Sequence, residues 1–331
     1  MKYNYVFFDN SAEYYRIARR DLESLPNVRV RMRELTSAGW FAKKLFKIHS
    51  SGRLNKRVRI PFQSIWIKKY IGDLDFPEEK SVCFLFGCGT EQAWRMRLIP
   101  YLRKTYPDCK IALLIRDRIA VLKRNNPHFN LESAKKTFDR IYTISAVEAE
   151  KFDLRLAPVM CSRHPVSVAE NDLKSDVVFI GKAKDRTDTI CRAYQKFTEA
   201  GLLCDFLLVG DAGLTDVPKG LSVSSGIVPY SEMLRRTVNA RCVFEVTQKG
   251  IGSMTSRFLE ALCYNKLLIS DNQDLVNTKF YDPTYIQLFE DVEDIDVSFV
   301  KRDVTVDYGY KDEYSPIRLL EYIDRDLQSP G

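Results

Sequence analysis

Histidine is scarce, with three in 331 residues. The eight cysteines, at 83, 88, 109, 161, 191, 204, 242 and 263, form no C-x-x-C pair. With so few imidazoles and no paired thiolates, the spacing of a structural zinc site is missing. Most of these cysteines lie in apolar text, so free buried thiols in a reducing cytosol are expected. No apolar run approaches the roughly 18–20 residues of a membrane-spanning helix. The opening MKYNYVFFDN reaches an acid at Asp9, which argues against a signal peptide. Repeats of the length that build solenoids are missing as well, and so are low-complexity tracts.

What is present suits a globular protein of two domains. Hydrophobic residues make up 45% and aromatics 12%, enough for each half to bury a core. Charged residues, 29%, are not gathered into long runs, which excludes wholesale disorder. Their balance is uneven. Residues 1–170 hold 32 Lys+Arg against 18 Asp+Glu, a balance of +14; the remainder holds 19 against 26, or −7, which together give the net +7. Between Arg29 and Lys69, 12 basic residues face the single acid Glu34.

Apolar runs at 3–9, 81–87, 110–117 and 140–145 read as strands. Asn10 with Glu13, and Ser145 with Glu148, have the spacing of capping boxes. Helical text such as EQAWRMRLIPYLRKTY separates the strands. The stretch 157–175 breaks the pattern with two prolines and reads as a connection between domains. The alternation then restarts, with strands at 176–181, 204–211, 221–226, 242–247, 266–271 and 285–290 and a final helix in SPIRLLEYIDRDL. Strands alternating with helices predict parallel sheets covered on both faces. The expected fold is α/β: two Rossmann-like doubly wound parallel-sheet domains facing a central cleft. The domains are placed at 1–162, with a basic amphipathic insertion at 36–70, and at 173–331, joined by a linker at 163–172. The last helix is open to packing back on the first domain.

In such sheets ligands sit beyond the carboxyl ends of strands, at helix N-termini. Three places fit. After Gly181, the cations Lys182, Lys184 and Arg186 stand beside a helix start, which suits a diphosphate; a solvated loop is the alternative. In GIGSMTSRFLEALCYNKLLISDN, Gly250, Gly252, Ser253, Thr255 and Ser256 precede or open a helix, and Arg257 adds charge. Glycines admit a ligand closely, and hydroxyls and N–H groups bind phosphate oxygens. Glu260 is not at the capping-box position of Ser253, Thr255 or Ser256 and is not needed for the packing face. One turn into the helix, it is placed to accept two ribose hydroxyls; a solvated or core-paired glutamate is the alternative. In the third place, Val228, Pro229 and Tyr230 form a base-binding edge or an ordinary loop.

The text VVFIGKAKDRTDTI, followed by YSEMLRRTVNARCVFEVTQKGIGSMTSRFLEALCYNKLLISDN, resembles the nucleotide-binding domain of GT-B-type glycosyltransferases, particularly those building bacterial capsule and lipopolysaccharide. FDRIYTISAVEAEKFDL matches more loosely. The resemblance implies that Glu260 holds the donor ribose, that Lys182 or Arg186 contacts the diphosphate, and that the loop at 253–256 lies near the phosphates. Many retaining members carry two glutamates separated by seven intervening residues, the second matching Glu260; the first falls at Gly252 here. Gln248 and Glu245 are the nearest upstream candidates for its role.

The implied reaction transfers a sugar from a nucleotide-diphosphate donor to a glycan or lipid-linked glycan acceptor, leaning to a retaining mechanism without metal. No D-x-D stands convincingly at a strand end. No permanently bound cofactor is expected. An inverting mechanism would want an N-domain base, for which Asp9 and Asp117 are the candidates. The basic segment mixes Trp40, Phe41, Leu45, Phe46 and Ile48 with lysines, and residues 41, 45 and 48 share a helical face. That suits a helix lying on an anionic membrane surface, so a cytoplasmic enzyme peripheral to the inner face of the membrane is expected. The alternative packs those aromatics on the core. Nucleic acid is not expected as a partner. A nucleotide-sugar 2-epimerase of the same fold and a non-catalytic partner in a glycan-assembly complex are the competing readings.

Overall fold

A computed structural model of the chain describes residues 1–32, 35, 38–51, 54, 57–58, 60–87, 98–125, 129–169, 172–182, 184–210, 217–248 and 254–329. The chain divides into two compact units, Met1–Ser162 with Tyr314–Gly331, and Arg163–Glu313. Each is built on its own sheet of six parallel strands.

The first unit contains β1 (Asn4–Asp9), β2 (Val28–Met32), β3 (Val82–Phe86), β4 (Lys110–Ile115), β5 (Arg140–Thr143) and β6 (Arg155–Leu156), in the order β2-β1-β3-β4-β5-β6. All six residues of β1 are buried, as expected of a central strand covered on both faces. Its alternate side chains feed two cores. Val6 and Phe8 join Phe84 and Phe86 on one face, and Tyr5 and Phe7 join Cys83 and Leu85 on the other.

Among the described helices of this unit are α1 (Glu13–Ala18), α2 (Trp40–His49), α3 (Ile67–Ile71), α4 (Leu98–Thr105), α5 (Ile119–Asn125), α6 (Leu131–Thr137) and α7 (Ala146–Phe152). The first core is closed by Phe46 of α2, Tyr70 of α3 and Leu102 of α4. Ser145 caps α7, accepting the Glu148 N–H at 3.3 Å. The Glu148 carboxylate turns instead to the Ile119 N–H, 2.8 Å away, so the reciprocal half of the expected box is spent on α5. Asn10 accepts the Ala12 N–H at 2.9 Å, which makes a turn before α1 rather than a cap.

The last helix of the chain, Pro316–Asp326, lies with this unit and covers its second core with Leu319, Leu320 and Ile323. Asp324 accepts the backbone N–H groups of Lys2 and Tyr3 at 2.9 and 3.1 Å and the Tyr5 hydroxyl at 3.1 Å. Asp326 accepts the Tyr142 hydroxyl at 2.8 Å. Two carboxylates two residues apart thereby bind the helix to β1 and β5.

The second unit contains β7 (Ser175–Gly181), β8 (Cys204–Val209), β9 (Ser222–Ser224), β10 (Ala240–Glu245), β11 (Leu267–Ser270) and β12 (Ile286–Leu288), in the order β12-β11-β10-β7-β8-β9. Its core gathers Phe179, Phe197, Phe206 and Phe244, with Phe206 and Phe244 stacked at 5.7 Å between ring centroids. In chain order after α7 come α8 (Thr187–Glu199), α9 (Tyr230–Asn239), α10 (Ser256–Cys263) and the single turn α11 (Ser298–Lys301); the terminal helix Pro316–Asp326 is α12. Among the described residues, no helix is long and apolar enough to cross a membrane.

Candidate active site

The strands of the second sheet run to one side from β7 through β8 to β9, and to the other from β10 through β11 to β12. The reversal between β7 and β10 is a topological switch point, where an open parallel sheet leaves a crevice beyond its carboxyl ends. The residues that end these strands are Gly181, Glu245 and Ser270.

Glu245 is fully buried. One carboxylate oxygen accepts the hydroxyl of Thr255 and the other that of Ser270. Burial pushes its pKa up, opposed by these two hydrogen bonds and by Arg257. Thr255 is the N-cap of α10, and its oxygen accepts the N–H groups of Arg257 and Phe258 at 3.1 and 3.4 Å. One hydroxyl therefore both caps the helix and ties its tip to β10. Ser270 in turn accepts the Asn272 N–H at 3.1 Å.

Arg257, in the first turn of α10, reaches to the end of β7. It donates to the Ile180 carbonyl at 2.6 Å and lies 4.4 Å from the centroid of the Phe179 ring. Gly181 makes this possible, because a Cβ there would collide with Nη2 of Arg257. Burial lowers the Arg257 pKa, and the carboxylates of Glu260 and Glu245 counter that shift. Arg186 is buried too, and donates to the carbonyls of Val246 and Lys182. It thus joins the loop after β7 to the end of β10. Burial, followed by the neighbouring Arg257, lowers its pKa to about 10. Lys182 and Lys184 are exposed, and Lys184 donates to Gln248 at 2.8 Å.

Glu260 lies one turn further along α10 and is 7% exposed. The hydroxyl of Tyr230, the first residue of α9, donates to its Oε1 at 2.8 Å. Burial raises the Glu260 pKa to about 7, against the opposing effects of Tyr230 and Arg257, and Glu245 pushes it further upward. A carboxylate with one oxygen held by a tyrosine keeps acceptor capacity on the other.

The expected residues thus fall into distinct settings. Tyr230, Arg257 and Glu260 come together around α10, with Ser256 at its first position and Thr255 as its cap. Lys182 stands exposed at the end of β7, whereas Arg186 is a buried tie between two loops. Gly252 and Ser253 lie outside the described residues. Asp9 and Asp117 belong to the first unit. Both oxygens of Asp9 are engaged, one by Arg19 at 2.9 Å and one by Arg116, and its side chain is fully buried. Asp117 is exposed and accepts the Arg118 N–H at 2.8 Å. From the sequence, Glu245 is expected only as an upstream substitute for the missing acid at 252. Its signal was an acid inside the apolar run CVFEVT.

The sequence matches no protein-family model and no curated protein sequence. The fold does have counterparts. An alpha-glucosyltransferase in complex with UDP and a 13-mer DNA containing a central A:G mismatch superposes with a TM-score of 0.57 at 11% identity, over 98% of this chain and 100% of that one. An alpha-glucosyltransferase in complex with UDP gives 0.54 at 11% identity, over 98% and 100%. A protein from Listeria monocytogenes assigned as a UDP-N-acetylglucosamine 2-epimerase gives 0.50 at 8% identity, over 100% and 98%.

The two-sheet GT-B architecture is therefore the fold of this chain, shared with an alpha-glucosyltransferase that binds UDP and with a protein assigned as a 2-epimerase. The expectation that nucleic acid is not a partner is corrected. An alpha-glucosyltransferase of the same two-sheet architecture is seen in complex with DNA.

Proposed function

We propose that the chain is a glycosyltransferase whose second unit binds a nucleotide-diphosphate sugar. The observation that carries this reading is the Tyr230–Glu260 pair set one turn behind the tip of α10 at the sheet's switch point. The second oxygen of Glu260 accepts the ribose hydroxyls. The diphosphate rests on the tip of α10, beside Ser256, Arg257 and Lys182. Arg186 and Glu245 hold that platform from beneath, through the carbonyls of Val246 and Lys182 and the hydroxyls of Thr255 and Ser270.

In the reaction, an acceptor oxygen bonds to the anomeric carbon as the bond from that carbon to the diphosphate oxygen breaks. The acceptor attacks from the face the diphosphate leaves and passes its proton to the departing phosphate, which retains configuration without a protein nucleophile, and the cations of the platform take the part a metal would play. Charge grows on the leaving diphosphate, and fixed cations and a helix N-terminus stabilise the transition state more than the ground state. The acceptor is a surface glycan carried on a lipid. A second reading, a nucleic-acid acceptor, is favoured by the similarity of fold to a glucosyltransferase bound to DNA.

A thermal-shift panel of UDP-, GDP-, CMP- and dTDP-sugars tests the donor site. One base is expected to raise the melting temperature, and Glu260→Ala to abolish the shift. No stabilisation by any of them, or an undiminished shift in the variant, would count against the reading. Transfer of labelled sugar to a lipid extract or to duplex DNA then separates the two acceptors.

A further inference from the structure

The face of the first unit formed by α2 and the turn before α3 is tied to the core from within. Phe46 and Trp66 meet edge to face at 5.6 Å, and Nε1 of Trp66 donates to Nδ1 of His49 at 3.0 Å. Outside that contact, Trp40, Phe41 and Ile48 on α2 and Phe62 and Ile65 at the turn are 74, 71, 44, 77 and 59% exposed. Soluble surfaces show large apolar side chains singly, and clusters of them mark interaction sites. Phe62 has a φ of 59°, a left-handed conformation that bulky residues rarely adopt. Strain of this kind concentrates where a side chain is held for a purpose.

The charge of the segment has one sign. Residues 35–72 hold nine Lys+Arg and no Asp or Glu. Lys43, Lys44 and Lys47 are exposed on α2, and Lys68 and Lys69 on α3. The Lys44 ammonium lies 5.2 Å from the Trp40 ring.

We propose that this face docks on an anionic lipid surface, with its apolar side chains in the boundary between headgroups and acyl chains and its lysines against lipid phosphates. A basic surface with aromatics can also hold single-stranded nucleic acid, but it does so by stacking bases on rings. Ile48 and Ile65 offer no ring, whereas the acyl boundary accepts aliphatic and aromatic side chains alike. The inference uses residues of the first unit alone and holds whether or not the second unit binds a nucleotide sugar.

The test floats the full chain with phosphatidylcholine vesicles, with and without 30% phosphatidylglycerol, and measures anisotropy of a labelled single-stranded oligonucleotide in parallel. The chain is expected to float only with the anionic vesicles. Each lysine near such a surface contributes about fivefold to partitioning, so Lys43→Gln with Lys44→Gln lowers it by on the order of 25-fold. Trp40→Ser with Phe41→Ser lowers it as well. All four side chains are exposed, so circular dichroism and the nucleotide-sugar thermal shift are expected to stay unchanged in both variants, which separates this test from the donor-site reading. Absence of wild-type flotation, flotation that survives both double variants, or oligonucleotide binding without vesicle binding overturns the proposal.

Discussion

Glu260 gives the account a pH signature. Its pKa, raised to about 7 by burial, divides the physiological range. If the ionised carboxylate is what accepts the ribose hydroxyls, the competent fraction is about a tenth at pH 6 and about nine tenths at pH 8. Affinity for a nucleotide-diphosphate sugar therefore rises about tenfold across that interval, or roughly 1.4 kcal/mol. The diphosphate of such a donor carries no group that titrates in this range, so the slope belongs to the protein. Isothermal titration at half-unit steps from pH 5.5 to 8.5 measures it. Glu260→Gln flattens the profile and weakens binding at pH 8. Tyr230→Phe removes a hydrogen bond that lowers the Glu260 pKa, so the midpoint moves above 7. A wild-type profile flat from pH 6 to 8, or a Gln variant that keeps the slope, refutes the reasoning.

Four further outcomes are expected. Because the folded pKa of Glu260 lies above the unfolded value, the folded state binds the extra proton between them, and stability falls as pH rises from about 4.5 to about 7. Chemical denaturation should show Glu260→Gln stabilised at pH 8, by up to about 3 kcal/mol, and unchanged at pH 4. Thr255→Val removes a helix cap, about 1 kcal/mol, and a donor to buried Glu245, about 1–3 kcal/mol more; urea melts should register the sum together with weaker donor binding. Gly181→Ala pushes Arg257 off the Ile180 carbonyl and should cost donor affinity with little change in secondary structure, checked by titration and circular dichroism. Asp9→Ala strips the counter-charge from buried Arg19 and Arg116 and should destabilise the first unit by about 3–5 kcal/mol in denaturation, while the nucleotide-sugar thermal shift of the second persists.

Strands β7, β8, β10 and β11 were legible because each lies in a short apolar run closed by polar residues, whereas β9 is only the SVS of Ser222–Ser224. β2 was not, since VRVRM interrupts its apolar pattern with Arg29 and Arg31. Arg31 donates to the carbonyl of Asp73 at 2.7 Å and also to that of Ile71, and Arg29 to that of Asp75. Those acceptors lie some forty positions away, beyond any local pattern. Ser145 was readable as a cap because its partner is three residues on. Asn10 offered the same spacing, but a turn with Ala12 delays the helix to Glu13.

Helix α2 shows a different limit. Phe41, Leu45 and Ile48 share a face by periodicity, yet Leu45 packs partly against the core with Ala42, and Phe46 lies within it. Apolar residues occupy both sides of the helix, so periodicity alone does not say which side turns inward. In the site, the oddity of Glu260 and of Glu245 was visible as acids in apolar text. Their partners were not, since Tyr230 is 30 residues from Glu260 and Ser270 is 25 from Glu245.

The central claim is that Glu260 grips the ribose of an activated sugar whose phosphates lie on the tip of α10. A crystal structure with the nucleotide sugar selected by thermal shift tests it most directly. Ribose hydroxyls are expected within hydrogen-bond distance of the Glu260 carboxylate, about 2.6–3.0 Å, and phosphate oxygens against the backbone N–H of Ser256. A donor bound with its ribose away from Glu260 and its phosphates away from α10 would contradict it.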